Sequence, residues 1–196
     1  MTQCLTRTRE ELAGEFVELD ERFSALIQTC SREQLVWRPT ERAWSIAECI
    51  EHIALSNSQY LAQISTALAQ GGPPGLAPDY PLAPGGRLSA AFLRRIGPQS
   101  STTFKAPRKV RPSAVEPERA LERLLTGHSQ IREILAATGH PDPNRVRFRN
   151  PFIPILRFTV ATGLLIMAAH GRRHLDQAEQ VCKRNGFPGN IALQSA

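Results

Sequence analysis

Apolar residues recur at alternating steps of three and four over long segments of the chain, which is the spacing of one face of an α-helix. The clearest segment predicts an amphipathic helix over residues 6–30. Its apolar positions are Leu12, Phe16, Leu19, Phe23 and Leu26. No segment shows the strict alternation of apolar and polar residues that is typical of a half-buried strand. The periodicity therefore predicts an all-α fold.

A second helix is predicted to begin at Trp44-Ser45 and to end at the Gly-Gly-Pro-Pro run 71–74. Ser45 is followed three residues later by Glu48, which is the signature of a capping box. Residues Ser31–Pro39, between the first two helices, are predicted to form a turn in which Trp37 covers one end of the core.

Residues 71–117 contain nine of the fifteen prolines and cannot form one continuous helix. This segment is predicted to be a long crossover that contains one short helix, Leu88–Ile96. A third helix is expected from Pro117 to Gly139, and a fourth from Pro154 or Arg157 to Asn185. The prediction is a four-helix bundle with a long Pro/Gly-rich crossover between helices 2 and 3.

The positive charge of the chain is concentrated in the crossover. Seven of the basic residues lie between positions 80 and 115, where there is no acidic residue, and removing them takes the formal net charge from +6 to −1. No basic stripe follows a helix and no aromatic side chains alternate with the basic ones. We therefore expect a solvated basic loop, and nucleic-acid binding is the less favoured interpretation.

The remaining bulk properties predict a cytoplasmic protein that forms one domain over residues 1–196. The N-terminus lacks the apolar core of a signal peptide, and the longest apolar run, Phe158–Ala169, is too short to span a bilayer. The cysteines show no C-x-x-C pair and are interpreted as reduced cytosolic thiols. They are Cys4, Cys30, Cys49 and Cys182.

Two histidines, His170 and His174, are four residues apart in the fourth predicted helix, so their imidazoles leave the same face one turn apart. This spacing allows both to bind one divalent metal ion, and His52 on the second helix is the candidate for a third ligand. Gln177 is on the same face and is a candidate hydrogen-bonding partner. The alternative is that these histidines lie on a solvated helix face, where the H-x-x-x-H pattern is common.

Four other residues have a functional and a structural interpretation. His128 is either a base or outer ligand at the metal, or a hydrogen-bonded core histidine. Cys49 is a nucleophile or fourth ligand, or a small buried hydrophobic residue. Glu48 is a general base, or only a helix cap. Arg173 binds an anionic substrate group, or is simply exposed. In each case the structural interpretation is favoured.

Two segments of the chain resemble the DinB-like superfamily, named after a DNA-damage-inducible protein. They are Trp44-Ser-Ile-Ala-Glu-Cys-Ile-Glu-His52 and His170-Gly-Arg-Arg-His174-Leu-Asp-Gln177. That superfamily has a Trp-Ser-x-x-Glu helix start that leads to a histidine, followed near the C-terminus by H-x-x-x-H-x-x-Q. Asn150-Pro151 is also similar to the family, whereas the 71–117 crossover is not matched.

The resemblance implies a four-helix bundle with a divalent metal ion, zinc, nickel or iron, bound by His52, His170 and His174. It also implies a homodimer and a small-molecule substrate. Its members with assigned chemistry are mostly thiol-dependent transferases or isomerases that use bacillithiol, mycothiol or glutathione, and others are hydrolases. We therefore expect a metal-dependent thiol S-transferase or a related hydrolase or isomerase. The alternative is a non-catalytic, stress-related binding or scaffold protein with a structural metal ion.

Overall fold

The computed structural model describes residues 5–75, 80–102, 105–137 and 141–189. Four long helices dominate this part of the chain, with two short helices and two three-residue strands between them. In chain order they are α1 (Arg9–Thr29), α2 (Arg32–Val36), α3 (Ile46–Ala69), α4 (Arg87–Ile96), α5 (Pro117–Ala136), β1 (Arg147–Arg149), β2 (Arg157–Thr159) and α6 (Val160–Cys182).

The four long helices form a bundle in which α1 and α3 each pack against both α5 and α6. Ion pairs give their directions. Arg172 of α6 forms an ion pair with Glu15 of α1. About two turns further along both helices, Glu179 of α6 forms one with Arg22 of α1, so α1 and α6 run parallel. By contrast, Asp20 of α1 meets His128 of α5 while Arg9 reaches the carbonyl of Leu135, so these two helices are antiparallel.

Helices α3 and α5 are parallel neighbours. Arg123 bonds Glu51, and further along both helices the Leu61 side chain approaches Gly127. Consecutive parallel helices need a connection as long as the helices themselves, because the chain must return to the starting end of the bundle. Residues 70–116 make this return, and α4 within them packs against α6.

The four-helix bundle predicted from the sequence is confirmed, with small shifts at the helix ends. The predicted cap at Ser45 is present as a full capping box. The fourth helix begins at Val160, later than expected, because Thr159 is its N-cap and belongs to β2. The third helix was expected to end at Gly139, which lies outside the described residues; α5 ends at Ala136.

Two local predictions were wrong. Residues 31–39 are not a simple turn, since Ser31 and Gln34 cap the short helix α2. The chain also contains strands: β1 and β2 pair antiparallel, with Phe148 opposite Phe158. Three-residue strands are too short to show an alternating pattern. Their central phenylalanines are buried, and so is Thr159 at the end of β2.

The hairpin packs against α6 where Gly163 leaves room for it. A Cβ atom at this position would lie 2.8 Å from Cζ of Phe148 and 3.0 Å from Cδ1 of Ile64. The small residue therefore lets hairpin, α3 and α6 meet closely in the core. Within the described residues, no helix has the length and apolar content needed to cross a membrane.

Candidate metal centre

His52 is placed in the first two turns of α3 by the cap of that helix. The Ser45 hydroxyl accepts a hydrogen bond from the Glu48 amide (3.2 Å), and the Glu48 carboxylate accepts one from the Ser45 amide (3.0 Å). Arg38 also donates to this carboxylate, with Nε 2.8 Å from Oε2. Glu48 thus has a structural role, and its oxygens are occupied by the cap and by Arg38.

His170 and His174 face His52 from the adjacent helix α6. Their Nε2 atoms are 3.0 Å apart. One ring nitrogen from each of the three histidines lies within 4.8 Å of the others. His52 and His174 are only 5% and 7% exposed, and His170 is half-buried. The three histidines predicted as ligands are therefore brought together.

Hydrogen bonds to the outer ring nitrogens fix the orientation of two of these imidazoles. Nδ1 of His52 lies 2.7 Å from the carbonyl oxygen of Val110, and Nδ1 of His174 lies 3.0 Å from Oε1 of Gln177. A carbonyl oxygen can only accept, so each Nδ1 carries the proton and each Nε2 presents a lone pair. Such bonds are the usual support of metal-binding histidines.

The electrostatics of the cluster keep the imidazoles neutral. Burial, reinforced by the neighbouring His52, lowers the pKa of His174 to about 3. Burial also lowers the pKa of His52, and it lowers that of His170 well below its ordinary value, with further contributions from the other two histidines and Arg173. A histidine must be neutral to bind a metal ion, so all three are in the binding form at neutral pH.

The donor set fits a divalent transition-metal ion. Two nitrogens that each lie about 2.0–2.1 Å from one tetrahedral zinc ion are about 3.3 Å apart. The observed distance of 3.0 Å between the Nε2 atoms of His170 and His174 is close to this value. Two lone pairs at this separation would repel each other unless a proton or a cation lay between them.

Trp44 forms an aromatic wall of the cluster, which the sequence did not identify as a site feature. Its ring centroid is 4.6 Å from that of His52 and 5.6 Å from that of His174. The residue immediately precedes the Ser45 cap of α3, and it is half-buried. Its ring therefore shields part of the histidine cluster from solvent and presents an apolar face there.

One family model matches most of the chain. A profile of the DinB superfamily matches residues 15–178, a range that includes all three histidines. The chain belongs to the DinB superfamily. A similar solved structure is that of YfiT from Bacillus subtilis, described as a probable metal-dependent hydrolase with an unusual four-helix bundle topology. It is 14% identical, with a TM-score of 0.59 over 91% of this chain and 88% of that one. No curated protein sequence matches the chain.

In this DinB superfamily member the crossover is part of the histidine site. The carbonyl that orients His52 belongs to Val110, at the end of a single 3₁₀ turn, Arg108–Val110. On the other side, the guanidinium of Arg173 donates to the carbonyl oxygens of Thr102 (2.5 Å) and Arg95 (3.4 Å). Arg173 therefore fastens the crossover beside the cluster, a role that differs from both interpretations given to it from the sequence.

Cys49 and His128 do not belong to the cluster. Cys49 is fully buried, and burial raises the pKa of its thiol well above the ordinary range. His128 is also fully buried, with Nδ1 2.5 Å from Oδ1 of Asp20 and its ring against the edge of Phe16. Both are core residues, as the favoured sequence interpretation held. No pattern in the sequence indicated that Asp20 would pair with His128.

Proposed function

We propose that this chain is a metal-dependent enzyme in which His52, His170 and His174 hold one divalent cation, zinc, nickel or iron. The observation that carries the proposal is the convergence of three neutral imidazole nitrogens within 4.8 Å of one another. Two of them have their outer nitrogens bonded to Val110 and Gln177. Three protein ligands leave a coordination position for a small molecule.

We infer that the nucleophile is a low-molecular-weight thiol, transferred to an electrophile, with hydrolysis as the related reaction. When bound in such a site, a divalent cation lowers the pKa of a coordinated thiol or water. No carboxylate of the described residues belongs to the cluster, and the Glu48 carboxylate is bonded to Arg38. Among the described residues, no carboxylate within the cluster is therefore placed to act as a general base, which favours a thiol, whose ordinary pKa is about 8.5, over water as the nucleophile.

The side chains in and around the histidine cluster give the site its shape and polarity. Trp44 provides an apolar surface beside His52 and His174. The half-buried His170 marks the side from which a substrate can enter. Because ligand sites combine apolar walls with a few polar groups, this arrangement is suited to a small molecule.

An open site also argues against the alternative of a scaffold protein with a structural metal ion. Structural zinc sites have four protein ligands, and the described residues provide only three in this cluster. The description of YfiT as a probable metal-dependent hydrolase supports the hydrolytic variant of our proposal. A homodimer and a cytoplasmic location remain part of the same proposal.

The test is a turnover assay of the metal-loaded protein with bacillithiol, mycothiol and glutathione, each paired with a panel of electrophiles, and with hydrolysable esters and amides. We expect thiol-dependent product formation that is lost in His170→Ala and retained in Gln180→Ala, an exposed position on the same helix. Full metal occupancy without turnover across the panel would refute the catalytic role and favour the scaffold.

A further inference from the structure

The turn between β1 and β2 carries exposed apolar side chains that the packing of the bundle does not explain. We call this turn, residues 150–156, the hairpin tip. The side chains of Ile153 and Ile155 are 40% and 88% exposed. Single exposed apolar residues are common on protein surfaces, but here two lie on one short turn. The hairpin tip therefore presents a small apolar surface to the solvent.

The conformation of the hairpin tip is fixed by the buried side chain of Asn150. Its Oδ1 accepts hydrogen bonds from the amides of Phe152 and Ile153, both at 2.8 Å, and its Nδ2 donates to the Tyr60 hydroxyl at 3.0 Å. The Asn150 amide donates to the carbonyl oxygen of Leu156 at 2.9 Å, which closes the turn. A turn that is already ordered loses little conformational entropy on binding, so the tip is preorganised for a partner.

Three basic side chains lie at the base of the hairpin tip, and we call them the basic collar. Arg149 and Arg157 immediately precede and follow the tip, and they are paired directly opposite each other in the hairpin. Lys109 comes from the crossover. Its Nζ donates to the carbonyl oxygen of Pro151 at 2.8 Å and lies 5.4 Å from the centroid of the Phe152 ring. All three basic side chains are exposed.

The charge of the basic collar is not compensated locally. Residues 80–115 and 143–175 contain no Asp or Glu. Within the part of the chain that the structure describes, neither arginine of the collar forms an ion pair. Like charges directly opposite on neighbouring strands destabilise a hairpin. An anionic partner would relieve this repulsion.

We propose that the hairpin tip and the basic collar dock on an anionic lipid surface. Ile153 and Ile155 enter the boundary between headgroups and acyl chains, and the collar lies among the anionic headgroups. Apolar side chains gain free energy when they leave water, and Lys and Arg are attracted to a negatively charged leaflet. Docking of this kind needs no helix that crosses the bilayer. The inference does not depend on the metal site.

The combination of charge and apolar surface argues against two other occupants. A two-fold dimer through the hairpin tip would bring two copies of the basic collar into one interface, where they would repel each other. A nucleic acid would satisfy the collar through its phosphates, but it would give the two isoleucines mostly polar surroundings. An anionic bilayer satisfies both the collar and the tip.

The experiment measures co-sedimentation of the full chain with vesicles of phosphatidylglycerol and phosphatidylcholine in equal parts, and with vesicles of phosphatidylcholine alone. We expect binding to the anionic vesicles to be tighter by about 100-fold, because each of the three basic side chains contributes about fivefold. Added salt should weaken this binding, since it screens the attraction between the collar and the headgroups.

A serine variant tests the contribution of the apolar tip. Ile155→Ser should weaken binding to the anionic vesicles by about tenfold, because the isoleucine side chain no longer leaves water. Its matched control is Leu88→Ser, which replaces an 81% exposed apolar side chain on α4. We expect this control to bind as tightly as the unaltered protein.

A double variant tests the basic collar at constant net charge. Arg149→Gln with Arg157→Gln should weaken binding to the anionic vesicles by about 25-fold. The control, Arg119→Gln with Arg184→Gln, removes the same charge at two exposed positions outside the hairpin. We expect the control to retain most of the binding, because its charges do not adjoin the tip.

Equal binding of the unaltered protein to the two kinds of vesicle, or no binding to the anionic vesicles at low salt, would overturn the proposal. An unchanged affinity of Ile155→Ser beside a weakened arginine variant would also overturn it and would identify a site for polyanions. A lower oligomeric state of Ile155→Ser in analytical ultracentrifugation would instead show that the hairpin tip is a subunit interface. The comparison of the two vesicles decides even if a variant fails to fold.

Discussion

Acid should destabilise the metal-free protein through its buried histidines. Burial holds the pKa of His174 at about 3 in the folded state, against 6.5 for an ordinary histidine. Below pH 6.5 the unfolded chain therefore binds a proton that the folded protein excludes. Stability rises with pH wherever the unfolded state binds more protons, so the free energy of unfolding must fall as the pH is lowered through this window.

The size of the effect follows from the two pKa values. Between about pH 7.5 and about pH 5.5, a histidine that titrates only in the unfolded chain reduces the free energy of unfolding by about 1.4 kcal/mol. His174 is 7% exposed, so solvent screening does not reduce this figure much. His170 and His52, whose pKa values burial also lowers, add contributions of the same sign.

The assay is urea unfolding of chelator-treated protein at the two pH values, for the unaltered chain and for His174→Gln. The variant lacks one of the titrating groups, so its loss of stability should be smaller by about 1.4 kcal/mol. Titrating groups away from the cluster contribute equally to both proteins and cancel in the comparison. An equal loss in both proteins would refute the claim that His174 is neutral in the folded state.

Two further predictions concern the support of the site and its packing. Gln177→Ala removes the hydrogen-bond acceptor for Nδ1 of His174 and should weaken metal affinity by about 10–100-fold in a chelator competition. The exposed control Gln180→Ala should bind the metal normally. Equal affinities of the two variants would contradict the role of Gln177. Gly163→Ala places a methyl group 2.8 Å from Phe148 and should cost about 1–3 kcal/mol in urea unfolding. Gly14→Ala, with nothing within 4 Å, should instead stabilise α1, and a loss of stability there would be the contrary result.

The helices and the histidine cluster could be predicted from the sequence because local patterns encode them. Apolar spacing sets the helices, and the Ser45–Glu48 pair sets the start of α3. The i, i+4 spacing places His170 and His174 on one face. His52 was a candidate third ligand from its place on another predicted helix, but no local rule pairs residues on different helices, and the resemblance to the superfamily supplied the further support.

The contacts that surround the cluster could not be predicted. Val110 orients His52 through a backbone carbonyl, a group that every residue has, so no residue type marks it. The Asp20–His128 and Arg38–Glu48 pairs join residues on separate segments, and their spacing follows no helical period. Such pairings are decided by how the helices pack, which is a property of the whole chain.

The most direct test of the metal site is the elemental content of the purified protein beside that of His170→Ala. The account predicts about one equivalent of zinc, nickel or iron per chain in the unaltered protein. It predicts almost none in the variant, because two imidazoles on different helices hold a cation poorly. Equal metal content in the two proteins, or none in either after incubation with each metal, would contradict the proposal that His52, His170 and His174 bind one cation.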